Sequence, residues 1–136
     1  MNDNWTDKYI GLPFLAKGRT EQGVDCVGLC ILALKQEKGI DVWDCNELYK
    51  REEMHTRAGL RHLDAILRKH LSVWKVVSME EIQPLDVVLY RHHGVESHCA
   101  LCVDSQHVLN IYEKHTAYIA PIKLPGFAIA GVYRHE

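Results

Sequence analysis

Asp25-Cys26-Val27-Gly28-Leu29-Cys30-Ile31-Leu32-Ala33-Leu34-Lys35-Gln36-Glu37-Lys38-Gly39 is the stretch on which the fold turns. Good helix formers run from Asp25 to about Lys38, and Gly39 stands where a helix is stopped. The first two turns are apolar nearly all round, which predicts a helix buried on every side, the central one of the domain. Before it, Lys8 to Gly23 mixes aromatics with Gly11, Pro13, Gly18 and Gly23, and reads as turn-rich coil.

After it comes a helical middle. Asn46 to Met54 is read as a short helix. Ala58 to Leu71 is read as an amphipathic one, with Leu60, Leu63, Leu67 and Leu71 at three- and four-residue steps. Its Arg61, Arg68 and Lys69 are partly offset by Asp64 and make a solvated face. Ser78 and Glu81 have capping-box spacing, which predicts a single helical turn. Beyond Pro84 the character changes to strands: Asp86 to Arg91, His98 to Val103, His107 to Tyr112 and Phe127 to Arg134, each bounded by turn-like residues. Helices first and strands last, joined by short connections, imply an antiparallel sheet and an α+β fold.

The chain has 136 residues, 47% of them hydrophobic, which suits one domain spanning 1–136. Sixteen basic residues against 18 acidic ones give a net charge of -2, which argues against nucleic acid as a partner. The longest apolar run, Val27 to Leu34, is too short for a membrane span, and no membrane association is expected. The start, Met1-Asn2-Asp3-Asn4-Trp5, lacks the basic and apolar regions of a signal peptide, so a soluble product made in the cytoplasm is expected. Five cysteines is an odd number, and with no such leader they read as thiols in a reducing compartment rather than as a disulfide framework.

Cys26 is the position richest in chemistry. In the first turn of a helix, unpaired amides and the helix dipole favour a thiolate, the nucleophilic form of cysteine. The other reading is a small buried residue at the start of an apolar helix. Gly28 would let a backbone or a substrate come close. A nucleophilic cysteine needs a base and a group that orients it. His98 is a candidate base, sharing a strand face with the small residues Ala100 and Cys102, which leave room for a facing helix start; a satisfied polar histidine is the plainer reading. Asn110, between apolar residues on the next strand, is placed to accept from the imidazole, as in a Cys-His-Asn triad. His107 and His115 are alternative third members. Asp25 has two readings, a binder of a substrate amine or a helix cap.

Cys99 and Cys102 have zinc-knuckle spacing, but on a strand they point to opposite faces, which disfavours a shared metal. Cys30, one turn beyond Cys26, is a buried neighbour or a resolving thiol. Cys45 has no evident role, and His92-His93 before Gly94 reads as a solvated hairpin loop.

The string Tyr9-Ile10-Gly11-Leu12-Pro13-Phe14, then Gly18, then Asp25-Cys26-Val27-Gly28-Leu29, resembles the opening of NlpC-type cysteine peptidases, which are papain-like. It is most similar to the branch encoded in phage tail gene clusters. Leu85-Asp86-Val87-Val88-Leu89 is similar to the family's Gly-Asp-Val-Val element, with Leu85 in place of glycine, and Ala130-Gly131-Val132-Tyr133-Arg134 is similar to the branch's closing strand.

The resemblance implies N-terminal helices packed on a C-terminal antiparallel sheet. It further implies hydrolysis of amide bonds in peptidoglycan stem peptides, with Cys26 as nucleophile, His98 as base and Asn110 as third residue. It places Asp25, Phe14 and Val27 against substrate, with Phe14 where many bacterial members have tyrosine and Val27 where serine is common. No metal and no organic cofactor is implied. The branch suggests tail-tip proteins as partners and a place in a virion tail. A structural tail component with weak or no activity is the alternative, raised by Phe14, Val27 and Asn110. A zinc module built on Cys99 and Cys102 is a third reading, which elemental analysis would decide.

Overall fold

The computed structural model describes residues 4–42, 74–92 and 94–135. The two helices read at Asn46–Met54 and Ala58–Leu71, together with Cys45 and His93, lie outside the described residues. The chain starts with a 3-10 turn, Trp5–Lys8, followed by a two-stranded hairpin of β1 (Arg19–Thr20) and β2 (Gly23–Val24). Helix α1 covers Cys26–Lys38. Next come β3 (Lys75–Val77), a 3-10 turn at Met79–Glu81, β4 (Val87–His92), β5 (Val95–Cys102), β6 (His107–Asn110), β7 (Tyr118–Pro121) and β8 (Ala128–Arg134). The strands after α1 form one sheet in the order β3-β8-β4-β5-β6-β7, antiparallel throughout.

The expected α+β architecture is therefore what the chain adopts, with one described helix packed on a large antiparallel sheet. The ends of α1 agree with the sequence. Asp25 caps the first turn by accepting from Gly28 N–H, and Gly39 takes the left-handed conformation (φ 67°) while its N–H meets the Lys35 carbonyl. Val27, Leu29, Cys30, Leu32, Ala33 and Leu34 are all buried, as an all-round apolar pattern requires.

Strand alternation divides the interior in two. Leu89, Cys99, Leu101 and Leu109 point toward α1, whereas Val88, Tyr90, Ala100, Cys102 and Val108 point to the other face of the sheet, packing with Ile122, Leu124 and Val132. Burying each such side chain contributes about 1.5–3 kcal/mol, which is why both faces of β4 and β5 are apolar. The sequence expectation that Ala100 and Cys102 clear space for the helix start is thus corrected: α1 meets the sheet on the Cys99 face. Cys99 and Cys102 do lie on opposite faces.

Several local readings change. The coil expected over Lys8–Gly23 contains the hairpin, and the short strands β3 and β7 carry too few inward residues (burial only at Val77 and Ala120) to show an alternating pattern. Strand β6 ends at Asn110 rather than Tyr112. Ser78 does precede a helical turn, but its hydroxyl donates to the Glu81 carboxylate at 2.8 Å. Leu85, the residue in place of glycine, is buried at 2% exposure with φ 74°, a left-handed backbone that side chains rarely take.

The sheet is tied at one end by Asp86, 1% exposed. It accepts from Arg134 Nε at 2.8 Å and Nη2 at 2.9 Å, and from the Gln83 amide at 2.8 Å. Arg134 Nη2 also reaches the Glu81 carbonyl at 2.9 Å. Asp86→Ala removes the bidentate partner of a mostly buried guanidinium, and is expected to cost about 3 kcal/mol in urea unfolding. A loss below about 1 kcal/mol would reduce the pair to a surface contact.

Candidate active site

The site is assembled at the start of α1. Asp25, 3% exposed, accepts from Gly28 N–H at 2.7 Å, Arg19 Nη1 at 2.8 Å and the Lys17 amide at 2.9 Å. Of its two readings, capping is the one these bonds display. Burial raises its pKa, the neighbouring Cys26 adds to the rise, and Arg19 and the amides oppose it. The cap also fixes the preceding loop, because Arg19 bonds the Gly18 carbonyl at 2.8 Å and that carbonyl lies against Gly28.

Cys26 is therefore held in the first helical turn, partly exposed and near enough to Cys99 and His98 for both to shift its ionisation. Its pKa falls well below the ordinary 9.0. The Cys99 hydrogen bond is the largest cause, burial opposes it, and His98 lowers it further by hydrogen bond and by charge. Cys99 moves the opposite way and remains a thiol, raised first by its bond to Cys26 and next by Cys30, whose sulfur is 3.8 Å away. The three sulfurs thus leave the negative charge on Cys26.

His98 is 7% exposed, and its Nε2 is 2.6 Å from Asn110 Oδ1. A carbonyl accepts, so Nε2 carries a proton and Nδ1 is the nitrogen left for Cys26. The ring stacks on Tyr112 (centroids 5.2 Å apart, 24° between planes) and contacts Phe127 at 5.2 Å and Tyr90 at 5.8 Å. Burial alone would lower the imidazole pKa; the hydrogen bond and charge of Cys26, then the Asn110 bond, reverse this and leave it above 6.5. The sign follows. The thiolate is present above the lowered Cys26 value and the imidazolium below the raised His98 value, so both shifts favour a thiolate–imidazolium pair. Peptide-bond cleavage by such a pair should fall off on both sides, on the acid side as Cys26 protonates and on the alkaline side as His98 loses its proton. A rate that only rises with pH through the ordinary thiol value would exclude it.

The residues from 11 to 128 match the family model for the NlpC/P60 family. The chain belongs to the NlpC/P60 family. No curated protein matches it. Among solved structures it is similar to the NlpC/p60 domain of the peptidoglycan hydrolase SagA, with TM-score 0.67 and 15% identity over 99% of this chain and 100% of that one. It is also similar to an NlpC/P60 family protein from Bacillus cereus, with TM-score 0.67 and 20% identity, covering 93% of this chain and 36% of the Bacillus one. A third is RipD from Mycobacterium tuberculosis, described as a non-catalytic NlpC/p60 domain protein adapted to peptidoglycan binding, with TM-score 0.52 and 16% identity over 82% of this chain and 67% of that one.

Within this NlpC/P60 domain, Cys26, His98 and Asn110 come together. Val27 does not join them at a surface: it is 8% exposed and turned into the core. Phe14 packs half-buried against the same core, with its amide on the His115 carbonyl at 3.2 Å. Of the alternative third members, His107 is exposed and bonds Asp104 at 3.0 Å. His115 lines an open cleft of about 380 Å³ with Tyr112, Thr116 and Tyr118. Sequence reasoning did not find Cys99, Tyr112, Phe127 or Tyr118 at the site. The signal for Cys99 was its place beside His98; the aromatics come from separate short segments, the turn after β6 (Tyr112), strand β7 (Tyr118) and the turn before β8 (Phe127), brought together only by the fold. Among the described residues no three His, Cys, Asp or Glu are grouped to hold a metal ion.

Proposed function

We propose that the chain is a cysteine hydrolase that cleaves amide bonds in peptidoglycan stem peptides. The observation that carries this reading is the alignment of Cys26, His98 and Asn110, with Cys26 shifted toward thiolate and His98 toward imidazolium. The Cys26 thiolate attacks the amide carbonyl. The His98 imidazolium passes its Nδ1 proton to the leaving amine as the C–N bond breaks. Water then attacks the thioester while neutral His98 takes its proton, releasing the acid and restoring the pair. The likeness to a domain of a peptidoglycan hydrolase supports the substrate class. Phe14, half-buried against the core, is kept as a substrate-side residue on the family resemblance, whereas the Asp25 carboxylate is taken up by the helix cap.

The finer setting, a phage tail with tail-tip proteins as partners, rests on the resemblance carried by Tyr9–Phe14, Asp25–Leu29 and Ala130–Arg134, and synthesis in the cytoplasm before incorporation rests on the character of the Met1–Trp5 start. The competing reading is a domain that binds peptidoglycan without cutting it, as RipD is described. Purified peptidoglycan incubated with wild type and with Cys26→Ala, then analysed by mass spectrometry, decides between them. New stem-peptide fragments from wild type only are expected, and they identify the bond. Intact peptidoglycan with both proteins would leave the binding reading in place.

A further inference from the structure

Asn110 is 0% exposed, and its amide brings one oxygen and two N–H groups into the interior. The oxygen is taken by His98 Nε2 at 2.6 Å. Directly across the β6–β7 ladder from Asn110 stands Tyr118, and Asn110 Nδ2 donates to its hydroxyl at 3.4 Å. The Tyr112 ring stands beside that of Tyr118, centroids 6.4 Å apart, and its hydroxyl is close enough for Asn110 and Tyr118 to influence its ionisation. The Tyr118 phenol oxygen therefore faces the amide nitrogen, with the Tyr112 ring beside it.

An imidazolium donates through both nitrogens, so only the Asn110 carbonyl suits Nε2 when His98 is charged. In that orientation the amide N–H groups need acceptors, because an unsatisfied donor at full burial is costly. The Tyr118 hydroxyl supplies one. We propose that Tyr118, assisted by Tyr112, is a positioning residue, its hydroxyl holding the Asn110 amide so that the carbonyl stays on His98. The inference rests on the Cys26–His98 reading above and extends it to β7, a strand that contributes no group to the reacting atoms.

Tyr118 is one-third exposed on an edge strand, so Tyr118→Phe removes the hydroxyl without disturbing the core. The titratable groups against the His98 ring among the described residues are Cys26, Tyr90 and Tyr112, and all three remain. The test is a proton NMR titration of the His98 ring, identified among nine histidines by the signal missing in His98→Gln. It is carried out on wild type, Tyr118→Phe, Asn110→Ala and the double variant. Losing one hydrogen bond to the amide should lower the His98 pKa by about 0.4–1 unit, roughly two- to tenfold in the protonation equilibrium. The same hydroxyl removal should have no further effect once Asn110 is alanine. An unchanged His98 pKa in Tyr118→Phe, or an equal shift with and without Asn110, overturns the proposal. The wild-type value is judged separately: His98 titrating at or below its ordinary 6.5 would count against the ion pair, whatever Tyr118 does.

Discussion

Changing His98 to alanine is expected to lower peptidoglycan cleavage by about 10²–10⁴-fold, the range that a positioned general acid–base supplies. Two losses combine. The leaving amine no longer receives a proton from Nδ1, and Cys26 loses a neighbouring charge that favours its thiolate. The second loss is separable, because Cys99 is the larger cause of the Cys26 shift and survives the substitution. Cys26 in the variant should therefore still ionise below an ordinary thiol, yet above its wild-type value. Cleavage within about threefold of wild type would mean that a group other than His98 serves as base.

Gly28→Ala is expected to be the most damaging single methyl in the described part of the molecule. A Cβ there would fall 1.9 Å from the Gly18 carbonyl oxygen and 2.9 Å from Arg19 Nη1. The loop has little room to retreat, since Gly18 itself lies so near the Gly23 carbonyl that its own Cβ would be 2.2 Å from that oxygen. Backbone must move, and the Arg19–Asp25 brace moves with it. Overpacking of this kind costs about 3 kcal/mol, a large share of a domain's usual stability of about 5–15 kcal/mol. Urea unfolding measures it. A loss under about 1 kcal/mol would show that the Gly18–Arg19 loop yields freely and does not hold the cap.

What could be read from the sequence was set by local pattern. The run from Asp25 to Gly39 carries its own cap, apolar surface and stop signal, so both ends of α1 were predictable. Residues 87–90 are buried without interruption, and that apolar run marked β4. Strands β1, β2, β3 and β7 are two to four residues long, too short for periodicity to rise above the surrounding turns. The site divides along the same line. Cys26, His98 and Asn110 could be proposed because each has a chemical signature and a strand or helix to place it. Tyr118 could not, because its meeting with Asn110 depends on the β6–β7 register. Tyr112 and Phe127 likewise converge on His98 only through the folded sheet. Val27 shows the reverse case: next to the nucleophile in sequence, it is carried into the core by the helix.

The central claim is that Cys26 is held as a thiolate beside protonated His98. Its most direct test is the rate at which a neutral alkylating agent modifies Cys26 in the folded wild type as pH is raised. Peptide-level mass spectrometry separates that site from the other four of the chain's five cysteines. The expected result is rapid modification of Cys26 already well below the ordinary thiol value of 9.0, while buried Cys99 and Cys102, both raised, stay unmodified over the same range. Modification of Cys26 that begins only near 9.0, or a Cys26 inert throughout, would contradict it.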